Sequence, residues 1–245
     1  MFHKYSNLYD LIYDDKNTAE EAEYLDIVLR AHGLKNASLL EFGSGTGRHA
    51  AELTKFGHSV HGVEVSEDMV NKTISGKNLS FEVADVLDLN INRYFDCVIS
   101  MFHVASYQIT NKNIIKFFKS ASRHLKPGGL FIFDFWYTPA VINLKPEVRI
   151  KKVESDNYRV WRIADPKIET SGNIVNVNYK FFVQDNNTGV IETFDEIHPM
   201  RHFGIPELEL IADVADFKLI RATEFCTENA PSMNSWGVMC VFEKV

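Results

Sequence analysis

The chain has 245 residues, 45% of them hydrophobic and 24% charged, the composition of a globular protein with room for one large α/β domain. Its 33 acidic and 26 basic residues leave a formal net charge of −7, which disfavours a nucleic-acid partner, and no apolar run approaches the roughly 20 residues of a membrane span. Cys97, Cys226 and Cys240 lie far apart in apolar runs, which argues against a disulfide framework and against a metal site, and no signal-peptide pattern opens the chain, so the expected location is the cytoplasm.

Tyr5, Tyr9 and Tyr13 share the Y-x-x-x-Y spacing of one helix face. Residues 20–32 repeat apolar positions (Ala22, Leu25, Val28, Leu29) with a helical period, and Gly33 ends that helix. A short strand over 38–42 leads into a glycine-rich turn, a helix over 48–56 closed by Gly57, and a second strand over 59–65. Ser66 is placed to cap a helix over 68–74. A third strand follows at 79–84, a near-continuous apolar fourth at 95–101, and a helix at 112–125 with His124 as a cation near its C-terminus. Lys126-Pro127-Gly128-Gly129 reads as a turn before a fifth strand over 130–136. Strands alternating with helices predict a parallel sheet covered on both faces.

The pattern then changes. Residues 173–184 (NIVNVNYKFFVQ) alternate apolar and polar positions, DNNTG at 185–189 is a hairpin loop, and 190–198 is the return strand, with one or two more strands in 149–163. A helix over 206–215 and two strands over 218–225 and 236–242 complete the chain. We expect one domain in which residues 1–147 and 201–245 form the core and about 148–200 form an antiparallel insertion covering one end of the sheet.

The stretch LLEFGSGTGRHA (39–50) spaces its acid and glycines as E-x-G-x-G-x-G. A dinucleotide fingerprint would need glycine at Arg48, and the leading Glu41 suits a ligand with a sulfonium or ammonium better than a diphosphate. Glu64 ends the second strand, where a carboxylate accepts from both ribose hydroxyls, and Asp85 follows the third, within reach of an adenine amino group. The ordered set EFGSGTG, GVEVS, ADVLDL, FDCVISMF and LKPGGLF resembles class I S-adenosylmethionine-dependent methyltransferases over residues 35–136. That resemblance implies a Rossmann-like α/β fold with a seven-stranded, mostly parallel sheet whose last strand runs antiparallel. It implies S-adenosylmethionine as cofactor, S-adenosylhomocysteine as product, and a small-molecule acceptor. It places Glu41, Gly43 and Gly45 beside the methionine part, Glu64 on ribose, and Val65, Met69, Asp85, Val86 and Met101 around the rest of the cofactor.

YDLIY (9–13), VEVSEDMV (63–70), VISMFHVASY (98–107) and FWYTPAV (135–141) are similar to the N,N-dimethyltransferases of nucleotide-linked aminosugars in macrolide pathways. That likeness implies cofactor contact by Tyr13 and an amino-group acceptor; N- or O-methylation of another small metabolite is the alternative. His103-Val104 stands where that family has two serines, and the tail SMNSWGVM also departs from it. His103 is the candidate base, since imidazole titrates near neutrality. Tyr107, Trp136, His198 and Arg201 are candidate acceptor contacts, and Lys145, Arg149, Lys151 and Lys152 form a basic cluster suited to a diphosphate or to solvent. The sequence leaves the oligomeric state open.

Overall fold

The computed structural model describes residues 3–245, with side chains from residue 8 onward, so the Tyr5 side chain lies outside the described residues. The elements in order are α1 (His3–Ile12), α2 (Thr18–Ala31), β1 (Ser38–Phe42), α3 (Arg48–Lys55), β2 (Ser59–Glu64), α4 (Glu67–Val70), β3 (Leu79–Val83), β4 (Phe95–Ser100), α5 (Asn111–His124), β5 (Leu125–Tyr137), α6 (Thr138–Leu144), β6 (Arg149–Glu154), β7 (Tyr158–Glu169), β8 (Ile174–Asp185), β9 (Ile191–Phe203), α7 (Ile205–Asp213), β10 (Phe217–Glu224) and β11 (Gly237–Lys244). A 3₁₀ turn spans Val104–Tyr107.

Strands β3, β2, β1, β4 and β5 lie side by side and parallel. Strand β11 pairs antiparallel with β5 along one edge and carries β10 beyond it. The sheet is therefore mixed and Rossmann-like, but among the described residues it holds eleven strands where seven were expected. The reason is β9. Where β4 ends, opposite Phe133, the edge of β5 is open, and β9 takes it through the parallel pairs Trp136–His202 and Tyr137–Phe203. The antiparallel strands β6 to β9 thus continue the core sheet.

Side chains alternate across the sheet and build two cores. Phe42, Phe131, Phe133 and Phe242 meet the buried stripe Ile114, Phe117, Phe118 and Ala121 of α5 on one face. Leu39, Cys97, Ile99, Ile132 and Met239 meet Leu25, Val28 and Leu29 of α2 on the other. Helix starts follow capping chemistry: Asn17 Oδ1 accepts from Glu20 N–H, and Thr110 Oγ1 from Asn113 N–H.

Three expectations change. Helix α4 is one turn, not 68–74. Lys126 to Gly129 lies inside β5 as a bulge: Phe95 pairs with Leu125 but Cys97 with Leu130, so the turn chemistry bows the strand outward, with Gly128 at φ 71°. His124 is neutral, because its Nε2 accepts from Ile91 N–H and burial lowers its pKa. Helix α6, with Pro139 in its first turn, was not foreseen. Among the described residues no helix is long and apolar enough to cross a membrane.

A Cβ at Gly62 would lie 2.5 Å from the Phe81 ring and 2.8 Å from Ser44 Cβ. Gly62→Ala is expected to cost about 1–3 kcal/mol by forcing both apart. Urea unfolding measures this, and an unchanged midpoint would contradict the packing.

Candidate active site

The glycine turn between β1 and α3 is held by its own chain. Gly43 N–H and Ser44 N–H donate to Val63 C=O (2.8 and 3.1 Å), and Gly45 N–H donates to Glu64 Oε2 (3.1 Å). Gly43, Gly45 and Gly47 have φ of 69°, 55° and 79°, which favours glycine at each. These amides are used internally, so the turn offers bare backbone for close approach rather than the N–H cradle a diphosphate needs. At Gly45 a Cβ would meet only Met69 Sδ, at 3.9 Å. Glu64 also accepts from Ser66 N–H through Oε1 (2.9 Å). Burial raises its pKa, and those amide donors partly offset the rise.

Above this turn lies a cavity of about 580 Å³, within the usual range for small-molecule sites. Its floor is Gly43, Gly45, Glu64, Met69 and Met101. One wall is the turn after β4. Phe102 and His103 both have positive φ, 65° and 62°, at a cost of about 1–3 kcal/mol per residue, and such strain collects at functional sites. His103 N–H donates to Asp134 Oδ1 (3.0 Å), and its ring Nδ1 lies 2.7 Å from Asp134 Oδ2, an ion-pair distance whose angle falls outside that of a hydrogen bond. Burial raises the Asp134 pKa, but His103 beside it outweighs that and holds the carboxyl below its ordinary range.

The N-terminal segment forms a second wall. Arg48, the residue that breaks the dinucleotide spacing, donates to the carbonyls of Tyr13 (2.7 Å) and Lys16 (3.3 Å) and so fastens this segment to α3. Tyr9, Tyr13 and Phe102 then cluster, with ring centroids 5.0 Å apart for Tyr13–Phe102. The inner face of β7 to β9 is the roof: Arg162, Ala164, Val177, Tyr179 and Met200 line it. Arg162 donates to Tyr13 Oη (3.0 Å) and lies over the Tyr13 and Tyr179 rings. Among the described residues neither Arg162 nor Arg149 has a carboxylate within 4 Å, and both line the cavity.

Comparison with known proteins agrees with this geometry. Residues 39–129 match the family described as a methyltransferase domain. The chain is 29% identical over 220 residues to the dTDP-3-amino-3,4,6-trideoxy-alpha-D-glucopyranose N,N-dimethyltransferase of Streptomyces venezuelae, covering 88% of this chain and 90% of that one. The crystal structure of Streptomyces venezuelae DesVI superposes with a TM-score of 0.79 at 26% identity over 98% of both chains. A S-adenosylmethionine-dependent methyltransferase from Clostridium acetobutylicum gives a TM-score of 0.82 at 20% identity, covering 99% of this chain and 98% of that one, and so shares the fold. The chain is an S-adenosylmethionine-dependent methyltransferase.

The methyltransferase has residues that fit this cofactor. Glu64 offers a carboxylate at the cavity floor, Gly45 leaves the backbone open, and among the described residues Glu41 Oε2 is buried without a hydrogen-bond partner beneath the turn, a carboxyl that a cationic ligand above it would favour in its ionised form. Glu41 Oε1 lies 3.9 Å from His49 Nδ1, and His49 Nε2 is 2.7 Å from Glu21, which also pairs with Lys16. Of the expected site residues, Tyr13, Gly43, Gly45, Glu64, Met69, Met101, His103, Tyr107 and Trp136 line the cavity.

Others fall elsewhere. Glu41 sits just below the floor. Val65 is exposed, Asp85 points its Oδ1 at Leu87 N–H, and Val86 packs on the aromatic core, so all three lie outside the lining. Arg201 lies outside the lining as well: it is buried and ion-paired with Glu207 (2.6 Å), with Asn111 as a second partner. His198 stands behind Tyr107 rather than in the cavity. Of the basic cluster only Arg149 lines the site, while Lys151 pairs with Asp15 (2.5 Å). Asp134 and Arg162 were missed. Asp134 sits among apolar residues in LFIFDFW, an acid inside a core strand that is itself a signal.

Glu41 carries a testable pH effect. Burial, and then Glu64, raise its pKa to about 8 from 4.5. A raised carboxyl stabilises the fold fully below the lower value, and the contribution is lost as pH rises through the upper one. The stability difference between the ligand-free protein and Glu41→Gln should therefore shift toward the variant between pH 5 and pH 8.5 (about the span of those two values) in thermal unfolding. Parallel pH profiles would contradict it.

Proposed function

We propose that the methyltransferase acts on the amino group of a nucleotide-linked aminosugar, and that the insertion, about residues 148–200, covers that acceptor site. The observation that carries this reading is the roof: two arginines without carboxylate partners among the described residues, Arg149 and Arg162, line the same cavity as the glycine turn. They suit a diphosphate, which arginine meets with paired donors. The Streptomyces venezuelae relative is named for such an acceptor.

In this reading Glu64 holds the ribose, Gly43, Gly45 and Tyr13 surround the methionine part with Glu41 beneath, and Met69 meets the adenine. Bound S-adenosylmethionine supplies an electrophilic methyl group on sulfur, displaced in line by the acceptor's lone pair. The chain's work is alignment and exclusion of water, which Tyr9, Tyr13, Phe102, Trp136 and Trp236 provide around the cavity. His103 turns Nδ1 to buried Asp134, leaving Nε2 for the acceptor's proton, and the carboxylate stabilises the imidazolium formed. That pairing favours a second reading, a hydroxyl acceptor, because an alcohol needs a base far more than a free amine does.

The test is S-adenosylhomocysteine release by the purified protein given S-adenosylmethionine and a dTDP-3-amino sugar, against a no-acceptor control. Acceptor-dependent release with methyl on nitrogen is expected, and Arg162→Gln should raise the acceptor KM about 10–100-fold, as loss of a charge-assisted contact does. Release only with hydroxylated acceptors would establish the second reading instead. In either case His103→Ala should lower kcat about 10²-fold or more near neutral pH, and unchanged turnover would remove the base role.

A further inference from the structure

A set of buried charges lies beneath the glycine turn, outside the lining of the main cavity. Leu39 and Glu41, alternate residues of β1, share the sheet face that α2 and α3 cover. Glu41 is 1% exposed, and its neighbours across the sheet, Gly62 and Ile99, carry no polar side chain. Among the described residues Glu41 Oε2 has no hydrogen-bond partner, and Oε1 lies 3.9 Å from His49 Nδ1, beyond hydrogen-bond reach.

The cations around Glu41 are engaged elsewhere. Lys16 pairs with Glu21, and His49 Nε2 lies 2.7 Å from the same Glu21 oxygen. Burial lowers the His49 pKa in spite of Glu21, so the ring is neutral. Arg48 is turned to the carbonyls of Tyr13 and Lys16, and His103 stands beside Asp134 of β5. Glu64, at the end of β2, adds a second carboxyl rather than a cation, and burial keeps the Cys226 thiol neutral. A buried carboxylate without a paired cation costs more than taking up a proton. Glu41 without ligand is therefore a neutral acid near pH 7, in line with its pKa of about 8, which burial and then Glu64 raise against smaller opposing effects of Lys16 and the Ala50 amide.

S-Adenosylmethionine and S-adenosylhomocysteine both bring an ammonium group to a floor built from Gly43 and Gly45, two and four residues beyond Glu41. A cation there favours the ionised carboxyl. We propose that cofactor binding expels the proton of Glu41, so that this buried acid becomes the ligand's counter-ion only once the ligand is seated. The carboxyl O–H bond breaks, its electron pair stays on oxygen, and the proton passes to water. A side cavity of about 30 Å³ beneath the turn, lined by Lys16, Ser44, Arg48 and His49, has room for one water, and Ser44 Oγ is buried there without a partner among the described residues. It offers the proton an exit that does not cross the ligand. This inference is independent of the identity of the methyl acceptor.

Titration calorimetry of S-adenosylhomocysteine into the full-length protein at pH 7, repeated in buffers of different ionisation enthalpy, counts the protons released. Close to one per ligand is expected from the wild type, and about one fewer from Glu41→Gln, which copies the protonated acid. Wild-type affinity should rise about tenfold per pH unit between about pH 5.5 and 7.5, the slope of one coupled proton, and Glu41→Gln should lack that slope. No release by the wild type, or equal release by both proteins, would overturn the proposal.

His49→Gln, which leaves the carboxyl in place, should release as the wild type does. Loss of the release in that variant would make His49 the titrating group and would also overturn the proposal. Infrared difference spectra of the wild type, bound minus free, read the same event without any substitution: a protonated carboxyl is expected to disappear and a carboxylate to appear. A spectrum without that exchange would contradict the proposal whether or not Glu41→Gln folds.

Discussion

The site depends on one carboxylate. Glu64 ends β2 and accepts from Gly45 N–H on one side and Ser66 N–H on the other. It joins the turn after β1 to the turn after β2, and so sets the width of the cavity floor between them. Its position follows from the sheet: β1 and β2 run parallel in register from Ser38–Ser59 to Phe42–Val63, which brings both strand ends to the same edge. A buried charge held by two amides is costly to move, so the floor is rigid before any ligand arrives.

Around that floor the chain arranges parts of different stiffness. The Phe102–His103 turn is strained and is held by both oxygens of Asp134, which a core strand places 1% exposed. The N-terminal helix docks through Arg48 and through Leu8 and Ile12, which pack on Val160 and Phe181 of the insertion. The roof is therefore joined to the wall as well as to β5. The same contacts that close the cavity bring Arg162 to Tyr13, so closure and charge placement are one event.

Much of this was legible in the sequence. Glycine spacing, the acid at the end of the second strand and the apolar fourth strand depend on local rules, and Gly43, Gly45, Glu64 and Met101 all meet at the cavity. Alternation in NIVNVNYKFFVQ identified the inner face, of which Val177 and Tyr179 line the site. What escaped depends on pairing between distant segments. Arg162 takes its place only by the register that sets it opposite Phe181, and Arg201 is paired with Glu207 across a turn. Asp85, at a position the motif assigns to adenine, instead bonds its own turn two residues on, a local competition that aspartate commonly wins. Extension of β9 to Phe203 was hidden because HPMRHF carries no period.

The most direct measurement is titration calorimetry of S-adenosylhomocysteine into the wild type and Glu64→Gln. The side-chain amide of the variant would face a backbone N–H with a donor. If Glu64 both braces the floor and holds the ribose, affinity falls about tenfold or more, as expected for a lost charged hydrogen bond. Equal affinity in the two proteins would contradict the account at its centre, because the adenosyl group would then lie somewhere other than on this floor.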